Sequence, residues 1–199
     1  LGDGTGALTA SSVIDLAPES GPRAIAAADL NDDGIMDLVT AEAAAFTVTL
    51  LIGEGAGSFL EPVSFPLDYA PADLWVGDVT GDAIVDIVAA NPDSNALSLL
   101  EGTGVEFLPV RYLSCGNRPQ LVTAADLDND GYKELIAANM GSGDLSVLYG
   151  RGEGLFSGDT RIPMPYPVGR FVVADLNGNT IPDIAALLFD STEDERQPI

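Results

Sequence analysis

The sequence predicts an all-β fold of repeated four-stranded antiparallel units, and three observations predict it. An acidic nine-residue loop recurs four times at even spacing. The segments around it are short apolar runs bounded by Gly, Pro, Asn and Asp. No stretch sustains a 3.6-residue apolar period.

The loops are Asp29–Asp37, Asp78–Asp86, Asp126–Glu134 and Asp175–Asp183, and their first residues lie 49, 48 and 49 positions apart. A first strand is expected before each loop: Ala24–Ala28, Leu74–Gly77, Leu121–Ala125 and Phe171–Ala174. A second follows it: Leu38–Ala41, Ile87–Ala90, Leu135–Ala138 and Ile184–Leu188. The alternating stretches Thr47–Ile52, Ala96–Leu100 and Asp144–Tyr149 read as third strands. Glycine clusters, Gly53–Gly57 and Gly150–Gly154, then lead into a fourth strand such as Phe59–Leu67. Four strands joined by short turns make a β-meander. One small meander cannot bury both of its faces, so the units must pack on one another. Radial packing of such sheets is a β-propeller. The chain divides into a tail of a preceding unit (1–16), three whole units (17–67, 68–113, 114–163) and a partial fourth (164–199).

Composition narrows the function classes. The chain has 199 residues with 31 acidic and 8 basic ones, a net charge of −23. That balance opposes nucleic acid and anionic membrane surfaces, which both need clustered Lys and Arg. With 46% hydrophobic residues it is not a disordered acidic chain either. Cys115 is the single cysteine and histidine is absent, which removes disulfides, Cys- or His-based metal sites and the commonest general base. No apolar run reaches the length needed to span a bilayer as a helix. The chain opens at Leu1 with neither Met nor a signal peptide, and reads as a processed or truncated segment of something longer.

The spacing of the acids points to calcium, a hard cation wanting six to eight oxygens. In a tight loop the side chains at positions 1, 3 and 5 converge, a carbonyl at 7 and a carboxylate at 9 complete the shell, and Gly at 6 permits the sharp turn. The first loop supplies Asp29, Asn31, Asp33, the Ile35 carbonyl and Asp37. The third supplies Asp126, Asp128, Asp130, the Tyr132 carbonyl and Glu134. The second has Asp78, Asp82, the Ile84 carbonyl and Asp86, but Thr80 at position 3 and Ala83 in place of Gly. The fourth has Asp175, the Ile181 carbonyl and Asp183, with Asn177 and Asn179 between them and Thr180 in place of Gly. The first and third sites should therefore bind best and the fourth least. As solvated turn residues the same acids would need no ion, a reading that fits the fourth loop better than the others. A helix-flanked calcium loop would end in Glu at position 12. Here that position is Thr40, Ala89, Ala137 or Ala186, inside an expected strand.

The pattern Asp-x-Asn-x-Asp-Gly-x-x-Asp-Leu from Asp29, together with Asn139, the Leu145–Leu148 strand, Gly150, Gly152, Gly154 and Phe156, resembles the FG-GAP/VCBS repeat family. That family includes the propeller heads of integrin α chains and many bacterial secreted and surface proteins. The resemblance covers essentially the whole chain. It implies a propeller of about seven blades, of which this chain is a segment, and an extracellular or cell-surface location.

In a meander, the first-to-second loops and the third-to-fourth turns share one end. A ligand face is then expected at the other end, where Arg23, Arg118, Arg170, Tyr69, Tyr112 and Tyr166 lie, since aromatic and Arg side chains are common binding anchors. Ordinary blade packing is the plainer account of these residues, and Trp75 reads as core. Calcium is expected to rigidify the loops rather than to act on a substrate. Two functions remain in view. One is a non-catalytic scaffold for adhesion, protein–protein contact or carbohydrate binding. The other is the propeller of a secreted, lyase-like polysaccharide-degrading enzyme. The lack of His, and of a carboxylate pair outside the loops, favours the first.

Overall fold

The computed structural model describes residues 13–104 and 106–189; residues 1–12, most of the expected preceding tail, and 190–199 lie outside the described residues. Among the described residues every regular element is a β-strand. The first sheet contains β1 (Pro22–Ala28), β2 (Asp37–Glu42), β3 (Thr47–Leu51) and β6 (Val63–Pro66). A small hairpin, β4 (Gly53–Gly55) and β5 (Ser58–Phe59), is inserted into its last turn. The second sheet is β7 (Asp73–Gly77), β8 (Asp86–Asn91), β9 (Ala96–Leu100) and β10 (Arg111–Ser114). The third is β11 (Pro119–Ala125), β12 (Glu134–Asn139), β13 (Asp144–Gly150) and β14 (Phe156–Pro163). Two strands, β15 (Val168–Ala174) and β16 (Asp183–Leu188), form the fourth. All pairings are antiparallel and follow chain order, as in propeller blades.

The central strands pack on both faces. Successive side chains point to opposite faces, so each central strand feeds two cores. In β8, Ile87 and Ala89 pack with Val39, Ala41, Val48 and Leu50 of the first sheet. Val88 and Ala90 turn the other way, to Leu97, Leu99, Val122, Leu135 and Ala137. A third core joins Ala138 and Leu145 to Val168, Phe171 and Ile184. Each core thus lies between consecutive sheets. Burying one Leu or Ile side chain contributes about 1.5–3 kcal/mol, and the buried ones here lie in cores shared with a neighbouring sheet. Trp75 packs against the second core, as expected.

The end of the sheets away from the acidic loops is pinned by buried polar groups. Glu42 accepts hydrogen bonds from the Thr40, Thr47 and Thr49 hydroxyls, each at 2.6 Å. The corresponding Asn91 and Asn139 donate to Ser98 and Ser146. These contacts hold the second-to-third turns in place.

Candidate functional site

The four acidic loops close the gaps between first and second strands, and the chain folds them with a shared set of backbone contacts. The acid at position 1 accepts N–H groups from the far side of the turn: Gly34 to Asp29 at 2.8 Å, Ala83 to Asp78 at 2.9 Å, Gly131 to Asp126 at 2.9 Å and Thr180 to Asp175 at 2.8 Å. Position 5 accepts the N–H of position 7, as in Asp33 with Ile35 at 2.7 Å and Asp130 with Tyr132 at 2.9 Å. Such bonds hold Asp175 below the usual carboxylate range, chiefly through the Thr180 N–H.

Two residues in each loop adopt left-handed backbone. Position 6 is Gly34, Ala83, Gly131 and Thr180, with φ of 81, 69, 93 and 71°. Position 4, which the sequence pattern did not single out, is Asp32, Gly81, Asn129 and Gly178, with φ of 59, 84, 62 and 80°. Asp, Asn and Gly tolerate that conformation, whereas β-branched Thr180 is strained in it.

Position 9 plays a part that spacing alone does not reveal. Asp37 accepts the Leu30 N–H through Oδ2 at 2.8 Å and the Gly53 N–H through Oδ1 at 2.7 Å. Asp86 likewise takes Val79 and Thr80 on Oδ2 and Gly102 on Oδ1, at 2.9, 3.0 and 2.9 Å. Both acids are fully buried, and burial pushes Asp86 above its ordinary value despite those bonds. The ninth residue therefore clamps the loop to the third-to-fourth turn. The first glycine of each cluster follows from this: a Cβ at Gly53, Gly102 or Gly150 would collide with the carbonyl of Met36, Val85 or Lys133. Position 7 completes the contact, with Ile35 beside Gly53 and Tyr132 between Gly81 and Gly152.

Loop three presents the best cation site. Carboxylate oxygens of Asp126, Asp128 and Asp130 all lie within 4.8 Å of one another. Glu134 Oε2 accepts the Leu127 N–H at 2.6 Å, and the Gly150 N–H also faces its carboxylate, so it holds the same clamp position as Asp37 and Asp86. Burial, with help from the negative charges of Asp128 and Asp130, pushes Glu134 up. A divalent cation would neutralise the three convergent Asp carboxylates, and the hard oxygen set fits calcium. Loop one offers Asp29, Asn31 and Asp33 in the same arrangement. In loop two Thr80 is buried beside Asp86. In loop four Asn177 donates its amide to both oxygens of Asp183, at 3.1 and 2.9 Å.

The FG-GAP-like repeat pattern matches residues 31–89, 78–137 and 126–186, each match running from one acidic loop past the next. The chain belongs to the FG-GAP-like repeat family. No curated protein sequence matches it. Among solved structures, similarity extends to a lectin of Agrocybe aegerita described for recognition of non-reducing terminal N-acetylglucosamine. That match has a TM-score of 0.57 and 21% identity over 80% of this chain and 45% of the lectin. A structure of BBS1N in complex with ARL6DN matches with a TM-score of 0.57 and 15% identity, over 88% of this chain and 51% of that one. A putative 6-phosphogluconolactonase of Bacteroides fragilis matches with a TM-score of 0.55 and 19% identity, over 76% and 42%. The chain spans about half the length of these structures, and at such identities the likeness is one of fold.

At the other end of the FG-GAP-like sheets, a pocket of about 520 Å³ gathers residues from all four units, among them Arg23, Pro92, Asp93, Arg118, Gln120 and Met140. Of the residues expected to form a ligand face, Arg23 and Arg118 line it. Arg170 lies close enough to Asp73 to oppose, weakly, the rise that burial gives its carboxyl. Tyr69 and Tyr112 instead stack edge-to-face at 5.4 Å, with the Tyr112 hydroxyl accepting the Asp68 N–H. Tyr166, exposed in the link before β15, is not among the lining residues. Asp93 lies in the Asn91–Asn95 turn expected on this face, whereas Gln120 was missed. Gln120 stands six residues before its loop, as Arg23, Ala72 and Gly169 do, and all four line the pocket.

Proposed function

We propose that the chain is a calcium-stabilised, non-catalytic binding module and that its four sheets belong to a closed propeller of about seven blades. The observation that supports calcium most directly is loop three, where the carboxylates of Asp126, Asp128 and Asp130 converge. The first loop follows it in rank, then the second and the fourth. The ion would be held by the position 1, 3 and 5 side chains with the ninth residue completing the set, and it would supply charge neutralisation.

Further blades are supported by the fourth sheet. Leu187 is 73% exposed, whereas its counterparts Ala41, Ala90 and Ala138 lie in the inter-sheet cores at 0, 0 and 1%. A following blade would cover Leu187 as its counterparts are covered. The absence of histidine and the engagement of the loop acids with backbone amides favour binding over acid–base catalysis. The lectin and the BBS1N complex are examples of the same architecture in sugar recognition and in a protein complex. An extracellular or cell-surface setting suits loops of this type, whose extracellular affinities of about 10⁻⁴–10⁻³ M match calcium levels outside cells.

Thermal melts with 10 mM calcium and with EGTA test this reading. A site with Kd of about 10⁻⁴ M gains about 2.7 kcal/mol at a hundredfold excess, or roughly 5–11 °C for a chain of this size. The same melting temperature in both conditions, with no calcium retained on equilibrium dialysis, would sink the calcium assignment.

A further inference from the structure

We infer that the pocket opposite the acidic loops is a binding site for a carboxylated sugar residue, with Arg118 and Arg23 as the groups that read the carboxylate. This rests on the reading of the chain as a binding module and names the ligand class of its free end.

The cations point there first. Arg111, Arg151 and Arg161 are each paired with an acid. Arg23, Arg118 and Arg170 form no ion pair with any described residue, and the first two line the pocket. On a chain of net charge −23, two arginines without an acidic partner among the described residues in one concavity are conspicuous.

Arg118 is also held in place. Its backbone has φ of 54°, at a position where the first unit uses Gly21 with φ of 65°. A non-glycine residue there costs on the order of 1 kcal/mol. The strained backbone is fixed from both sides: its N–H donates to Asn95 Oδ1 at 2.9 Å, and its carbonyl accepts the Met140 N–H at 3.0 Å. The aliphatic stem runs over Gly141, where a Cβ would come within 3.1 Å of Arg118 Cγ. The guanidinium is thus presented on a pre-set stem, and its planar fork matches a carboxylate bidentately.

The rest of the lining selects a sugar. Asp93 and Gln120 offer acceptors and donors for hydroxyls, while Pro71, Pro92, Met140 and Phe189 give apolar surface for the C–H face of a ring. About 520 Å³ is in the range of small-ligand pockets. An extended peptide would need a regular strand edge. Here the ladder is broken by bulges between Pro22 and Ala24, Pro119 and Leu121, and Val168 and Arg170. Repulsion by the loop acids does not reach this end: β1 alone spans roughly 20 Å at about 3.3 Å per residue, against a Debye length of about 8 Å in physiological salt.

The test is calorimetric titration of the 199-residue chain with glucuronate, glucose and glutamate. Glucuronate should bind at least tenfold more tightly than either control. Arg118→Gln and Arg23→Gln should each weaken it about tenfold, and Arg151→Gln at the opposite end should not. Arg118→Gly guards against misfolding, since it relieves the left-handed strain: it should lose binding with an unchanged or raised melting temperature. Equal affinity for glucose would overturn the carboxylate assignment, and equal affinity for glutamate would overturn the sugar. Glucuronate binding that survives in the Arg23/Arg118 double variant would overturn the site. If no probe binds while calcium still raises the melting temperature, this inference fails and the module reading stands.

Discussion

Replacing Asp86 with Ala removes the clamp between loop two and its third-to-fourth turn. Three backbone donors, Val79, Thr80 and Gly102, lose their acceptor in a region closed to water. An unsatisfied buried donor costs about 1–3 kcal/mol, so the gross loss is at least about 3 kcal/mol. Part is returned, because burial raises the Asp86 pKa and so marks the carboxylate as itself poorly solvated. A net loss of about 2–3 kcal/mol corresponds to roughly 4–12 °C in melting temperature for a chain of this length. The melts belong in EGTA, where no ion can contribute. Amide exchange at Val79 and Gly102 should accelerate in parallel. Asp82→Ala, which removes one exposed acceptor for the Ile84 N–H, is the control and should cost under about 1.5 kcal/mol. If Asp86→Ala melts within about 2 °C of the parent, or no lower than Asp82→Ala, the clamp is refuted.

Gly102→Ala should destabilise by about 1–3 kcal/mol through overpacking, because the new Cβ meets the Val85 carbonyl, a backbone atom that cannot swing aside; an unchanged melting temperature would contradict the contact. Burial pushes the Cys115 thiol up to about 12, so at pH 8 a disulfide reagent should label it only after unfolding. Asp73 is held above its usual 3.8 mainly by burial, against the Val122 and Leu74 N–H groups and Arg170. The folded state therefore holds that proton more tightly than the unfolded chain. Asp73 costs stability above its folded pKa, and the cost fades as pH falls through that value toward 3.8. Compared with Asp73→Asn, the parent should gain stability on acidification; a constant difference from pH 7 to pH 4 would refute it.

Strand order, meander topology and loop placement were legible in the sequence because each rests on local signals: period-2 runs, turn residues and an acidic pattern repeated four times. The second role of Asp37 and Asp86 was not, since their partners Gly53 and Gly102 lie sixteen residues on and contribute only backbone. The glycine clusters read as turns for the same reason, although steric contact with Met36 and Val85 is what demands their first member. Arg23 and Arg118 could be flagged as rare cations, but Tyr69 and Tyr112 could not be recognised as a pair stacked on each other. Their meeting depends on how the link after β6 crosses the second sheet, which no short-range pattern encodes.

The cores of this chain belong to pairs of neighbours rather than to single sheets, and that fixes how such a protein can change length. Removing or adding a whole period of about 49 residues leaves every remaining face matched to one of the same kind, Ala90 for Ala138 or Ile87 for Leu135. Removing half a period strips the partner from two cores at once. Growth and loss of such chains across lineages should therefore proceed in complete repeats, with breakpoints in the links after β6, β10 and β14.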